Sequence, residues 1–136
     1  MRADRLAVWC LTALVATMLA LALVQTGGPA TGRAEKRDLA RLDDLGALER
    51  FVICVARKDG QTALPDTLAP VAACPDDTPR DDPFTGAPYR YARLGGTEFR
   101  LCATFEMPAR LDYRASQLDR ETGCITGRIS PASDIR

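Results

Sequence analysis

The sequence predicts an α+β protein: an N-terminal transmembrane helix, a long amphipathic helix, a Pro-rich loop and a small antiparallel sheet. Three observations carry that reading. Residues 6–24 are uniformly apolar. Apolar residues then recur at steps of three and four through a charged segment. Beyond six clustered prolines, they alternate at every second position.

The first element reads LAVWCLTALVATMLALALV, with no charge, Pro or Gly. At 1.5 Å per residue it spans roughly 28 Å, close to the hydrocarbon thickness of a bilayer. Thr12 and Thr17 can bond back to carbonyls of their own helix. Trp9 lies one turn in, where an interfacial aromatic is common. Arg2 and Arg5 supply a basic start, and Gly28-Pro29-Ala30 imitates a signal-peptidase site. The apolar stretch is longer than in a cleaved signal, which favours a retained anchor. Residues 1–5 are then a cytoplasmic tail, 25–32 a linker, 33–130 an exported domain and 131–136 a frayed end.

Orientation is contested within the sequence. Arg33, Lys36, Arg37 and Arg41 follow the span and outnumber Arg2 and Arg5 before it. Counted alone, they would keep the domain cytoplasmic. Long domains, however, translocate largely regardless of flanking charge. The cysteines decide the matter. Cys10 lies within the span as a small hydrophobe, while Cys54, Cys74, Cys102 and Cys124 all follow it. Four cysteines in a small exported domain predict two disulfides in an oxidising compartment, with three connectivities open. The nearest pair is twenty residues apart, so no C-x-x-C metal knuckle exists. The expected location is the inner membrane, single-pass, with the C-terminal domain in the periplasm.

The amphipathic helix is expected from about residue 33 to 57. Leu39, Leu42, Leu45, Leu48, Val52 and Val55 form its stripe, and charged residues including Asp38, Arg41 and Asp44 fill the remainder. Asp59-Gly60 reads as its stop. Phe51 and Ile53, off the stripe, predict that its end is wrapped on more than one side. Prolines at 65, 70, 75, 79, 83 and 88 then forbid a long helix or central strand. Leu64-Pro65-Asp66-Thr67-Leu68 suits one short helical turn. Asp76, Asp77, Asp81 and Asp82 lack EF-hand spacing and read as a solvated acidic loop rather than a Ca²⁺ site.

The sheet follows. Residues 89–94 and 98–105 read as a hairpin, with Gly95-Gly96 supplying the positive φ of a tight turn. Phe99, Leu101, Ala103 and Phe105 alternate as a half-buried strand should. Residues 107–123 read as loop, and 124–129 as a third strand. Tyr89 and Tyr91 share one face, placed in the core rather than as a ligand platform.

Residues 64–68, Asp82-Pro83-Phe84-Thr85-Gly86-Ala87-Pro88-Tyr89-Arg90-Tyr91 and the strand Phe99-Arg100-Leu101-Cys102-Ala103-Thr104-Phe105 stand in an order that resembles the type IV pilin and type II secretion pseudopilin group. The strand and a later cysteine also resemble small bacterial anchored proteins with an L-C-A-x-F strand. The likeness covers roughly residues 36–129. It implies a pilin-like fold and the pairing Cys102–Cys124, and on that pairing Cys54 joins Cys74. The sequence departs from the group in lacking a Gly-Phe processing site with its following Glu. The resemblance therefore implies the fold rather than filament assembly.

Chemistry is bounded mainly by exclusion. The 136 residues contain no histidine, which excludes Ser-His-Asp triads, H-E-x-x-H zinc sites and c-type haem attachment. Neither a Gly-rich phosphate loop nor a nucleophile elbow is present, and adjacent Asp81 and Asp82 rarely converge on one substrate. Eighteen basic and eighteen acidic residues cancel, which argues against nucleic acid. After residue 32 the balance is 16 basic against 17 acidic, a net charge of −1. The expected function is a non-catalytic, membrane-anchored periplasmic domain, without cofactor, that contacts or assembles an envelope complex. The alternative is a small secreted ligand-binding domain released by signal cleavage.

Overall fold

The computed structural model describes residues 2–58, 63–74, 77–111 and 117–130. The Asp59-Gly60 stop, Asp76 of the acidic run and the frayed end at 131–136 lie outside them. The protein is α+β, with a long N-terminal helical region and a four-stranded antiparallel sheet. It divides into two compact units, Met1–Ala34 and Glu35–Arg136.

The first unit contains helix α1, Arg2–Thr26. Leu6, Val8, Trp9, Leu11, Leu14, Leu19 and Leu23 are all more than half exposed, and together they occupy its full circumference. A helix apolar all round has no polar side to turn to water. The two interior hydroxyls are absorbed by the helix itself: Thr12 donates to the Trp9 carbonyl at 2.9 Å and Thr17 to that of Ala13 at 2.8 Å. Gly27 and Gly28, both at positive φ, separate α1 from helix α2, Gly28–Arg57. The helix thus resumes earlier than the expected linker of 25–32 allows. Pro29 is no obstacle, because the first turn has no intrahelical use for its missing N–H.

In the second unit α2 packs on the sheet. Leu45, Leu48, Val52 and Ala56 meet Phe99 and Leu101 of the central strand, Ile125 and Leu118 beyond it, and Leu64, Leu111 and Ile129 from the connecting segments. Strands β1 (Arg90–Arg93), β2 (Glu98–Cys102), β3 (Leu118–Asp119) and β4 (Cys124–Arg128) lie in the order β1-β2-β4-β3. Tyr91 pairs with Leu101 and Leu101 with Ile125, so one row of side chains faces the helix. On the opposite face stand Arg90, Ala92, Arg100, Thr126 and Arg128, all exposed. Phe99 is fully buried and lies over Gly127, where an added Cβ would meet its ring at 2.3 Å. The position admits glycine alone without a shift of that ring.

Three local expectations are corrected. Gly95 and Gly96 do not adopt positive φ; the hairpin closes through a wider loop in which the amides of Leu94 and Gly95 both donate to the Glu98 carbonyl. Residues 64–68 form bends, not a helical turn, because Leu64 is drawn into the core and the Pro65 carbonyl accepts from the Tyr91 hydroxyl at 2.8 Å. The segment 107–123 contains a 3₁₀ turn at Pro108–Arg110 and strand β3. The strand is only two residues long, too short for alternation to reveal it. The tight turn lies instead between β3 and β4, at Gly123 with φ +67. A Cβ there would sit 2.5 Å from the Ala103 carbonyl oxygen, which is fixed backbone. Gly123→Ala is accordingly expected to destabilise by about 1–2 kcal/mol from backbone conformation alone, with the clash adding to it. Urea unfolding of the full chain in detergent checks this, and a midpoint unchanged from wild type would contradict the geometry.

Candidate functional site

The densest polar cluster of the second unit surrounds Arg41, a charged residue only 2% exposed. Three segments supply its partners. Asp38, one turn earlier on α2 and fully buried, accepts from Nη1 at 2.7 Å. Asp82, from the Pro-rich loop, accepts from Nε at 2.9 Å. Glu106, just after β2, accepts from Nη1 at 2.9 Å and is also gripped by Arg37 at 2.8 and 2.6 Å. The Phe84 ring lies 5.4 Å from the guanidinium carbon, within cation–π range.

The carboxylates are organised as tightly as the arginine. Asp38 accepts the backbone amides of Glu106, at 2.9 and 3.1 Å, and of Met107 at 2.6 Å. Asp82 accepts the Phe84 amide at 2.9 Å and the Thr85 hydroxyl at 2.8 Å, while its own backbone closes the turn with Gly86 and Ala87. The D-P-F-T-G segment is thus an Asx-type turn whose side chain has a second role, joining loop to helix. Asp82 is buried, which corrects the reading of that run as wholly solvated; Asp77 and Asp81 are exposed. Asp38 and Arg41 likewise leave the polar face assigned to them. Tyr89 and Tyr91 belong to the core, with the Tyr89 hydroxyl donating to Asp44 at 2.7 Å.

These contacts set the ionisation of the cluster. Hydrogen bonds from Arg37 and then Arg41 hold the Glu106 carboxyl down at about 2. Burial works against charge on Asp82, but the Phe84 amide, Thr85 and Arg41 outweigh it and its pKa falls below the carboxylate range. Burial also opposes the charge of Arg41, and Glu106, Asp82 and Asp38 more than compensate. For groups with depressed pKa values, the stability contribution is complete above the unfolded-state value of about 4.3 and fades as pH falls toward 2. The difference in urea midpoint between wild type and Glu106→Gln is therefore expected to be full at pH 6 and to shrink steadily below pH 4. A difference independent of pH would contradict this assignment.

The remaining candidate residues are placed as follows. Cys54 stands at disulfide distance from Cys74, with Cα atoms 6.0 Å apart, fastening the Pro-rich loop to α2. Cys102 and Cys124 occupy directly opposed positions on β2 and β4, with Cα atoms 4.0 Å apart. Cys10 is a free, exposed thiol on α1. Among the described residues no group of three His, Cys, Asp or Glu side chains could hold a metal ion.

Cavities open on the second unit, two of them lined by described residues. One, of about 350 Å³, is lined by Phe51, Thr78, Pro79 and Arg50. Nearby, the Arg80 guanidinium lies 5.2 Å over Phe51 and donates to the Leu68 carbonyl at 2.6 Å, with its Nη2 lacking a partner among the described residues. The other, of about 260 Å³, lies between the outer face of the sheet and the β3–β4 turn, with Arg90 and Arg120 in its wall. Sequence reasoning singled out neither cavity. Both are formed by segments distant in the chain, and no local spacing announces them. No protein-family model, no curated protein and no solved structure matches the chain.

Proposed function

We propose that the chain is a non-catalytic, single-pass inner-membrane protein whose C-terminal domain lies in the periplasm and contacts or assembles an envelope complex. The observation that carries this reading is α1: a 25-residue helix with large apolar side chains exposed around its whole circumference. Exposed apolar surface of that extent is stable only against lipid or another protein. The two cysteine pairs at bonding distance support an oxidising compartment for the domain. The engagement of Asp38, Asp82 and Glu106 by Arg41 supports a structural rather than acid–base use of the buried carboxylates. The order of apolar helix, amphipathic helix and antiparallel sheet supports a pilin-like ancestry for the domain, without filament processing.

The test combines fractionation, topology and the mature terminus. The expected result is a carbonate-resistant membrane protein that protease attacks only in spheroplasts and whose mass retains residues 2–30. A soluble product beginning near residue 31 would replace this reading with a secreted domain. In-cell crosslinking is expected to yield heteromeric adducts; recovery of monomer alone would overturn the role in a complex.

A further inference from the structure

We propose that the cavity beside the β3–β4 turn binds a monocarboxylate bearing a small apolar group. Its wall presents Arg90, which projects from the outer face of β1 at the position opposite Cys102. Arg90 is exposed and forms no ion pair or side-chain hydrogen bond with the described residues, so its planar fork is free to take a carboxylate in two parallel bonds. Thr104 adds a hydroxyl donor. The Thr122 hydroxyl cannot serve, because it already donates to Asp119 at 2.7 Å. Arg120 contributes positive charge while one of its nitrogens holds the Leu111 carbonyl at 3.2 Å.

Two features narrow the ligand. Phe105 and Pro108 form an apolar part of the lining, suited to a ring or short alkyl chain next to the charged group. Glu121 lies in the same lining, so a phosphate dianion meets more repulsion there than a monoanion does, while Arg90 offers its fork to one carboxylate. The volume of about 260 Å³ falls just under the roughly 300–1,000 Å³ of drug-sized sites, and so fits a single such group rather than a large ligand. A free small acid and the carboxyl terminus of a polypeptide share this chemistry.

The experiment is calorimetric and NMR titration of the full chain in neutral detergent micelles. The probes are 3-phenylpropionate, its neutral amide, inorganic phosphate, and the peptide Gly-Gly-Ala-Phe with a free or an amidated carboxyl end. Saturable binding is expected for phenylpropionate, for the free-ended peptide or for both, and the tighter of the two identifies the source. The amides are expected not to bind, and phosphate to bind more weakly until Glu121→Gln relieves the repulsion. Arg90→Gln is expected to weaken the acid about tenfold or more, as loss of a charge-assisted bond requires. Unfolding should be unchanged in this variant because Arg90 has no partner to lose. Thr104→Val gives a second, independent loss. Saturation by neither acid, equal binding of acid and amide, or wild-type affinity in Arg90→Gln would each overturn the proposal.

Discussion

Replacing Arg41 by methionine is expected to lower the unfolding free energy by about 3–5 kcal/mol, the loss typical when one partner of a buried ion pair is removed. The reason is what remains behind. Asp38 is fully buried and Asp82 is 5% exposed, and neither can reach water when the guanidinium is gone. Asp38 would keep the amides of Glu106 and Met107, but a carboxylate in that position still needs a counter-charge. Against a typical total of about 5–15 kcal/mol, such a loss removes a large fraction of the stability. Arg37→Ala should cost far less than Arg41→Met, because its bond to Glu106 lies at the surface. Arg41→Lys keeps the charge but cannot hold Asp38, Asp82 and Glu106 from one planar fork, and falls between the two. Adding Asp82→Asn to Arg41→Met should recover part of the loss, since the amide oxygen still accepts from Phe84. Denaturant titration of the full chain in detergent measures all four. Equal midpoints for Arg41→Met and Arg37→Ala would sink the assignment of Arg41 as the hub.

That hub also marks where sequence reading stops. The hairpin of β1 and β2 was legible because Phe99 and Leu101 alternate with exposed residues. The apolar helix was legible from nineteen uncharged residues in a row. On α2 the apolar residues 39, 42, 45, 48, 52 and 55 suggested the buried stripe, whereas the fully buried positions are 38, 41, 45, 48, 51, 52 and 56. Those positions keep helical spacing perfectly well, but two of them carry charge. A pattern built on hydrophobicity assigns such residues to water and tilts the stripe by one position. The available signal was the pairing of an acid and a base three residues apart on the inward-facing row, with Asp82 opening a turn that required an anchor. Leu39 and Leu42 still pack on the core, partly buried. The cavity of Arg90 and Arg120 left no trace at all, since β1 and the β3–β4 turn come together only through the register of β2 with β4.

Removing the cysteine pair of the sheet, by Cys102→Ser with Cys124→Ser, is expected to cost about 3 kcal/mol, the entropy regained by an unfolded loop of this length. The pair spans 22 residues and the Cys54–Cys74 pair spans 20, so chain entropy alone assigns the two nearly equal effects. Their local consequences should differ. Cys124 begins β4 next to Gly123, and β4 carries Ile125 into the core and pairs with both β2 and β3. Without the bond, β4 and the short β3 are held by ladder hydrogen bonds and by the packing of Ile125 and Leu118, and amide exchange should quicken through 118–128 first. Without Cys54–Cys74, the loop retains the Arg80 bond to Leu68 and the Asp82 bond to Arg41, so exchange should quicken around 71–74 while the sheet stays protected. A domain of about 100 residues buries a limited fraction of its surface, which is why cross-links of this size weigh heavily in it. Reduction of the native protein should therefore act on both regions together and lower the urea midpoint by more than either double variant. A midpoint unmoved by reductant, with both thiol pairs verified as free, would show that the hydrophobic core and the Arg41 cluster hold the domain without them.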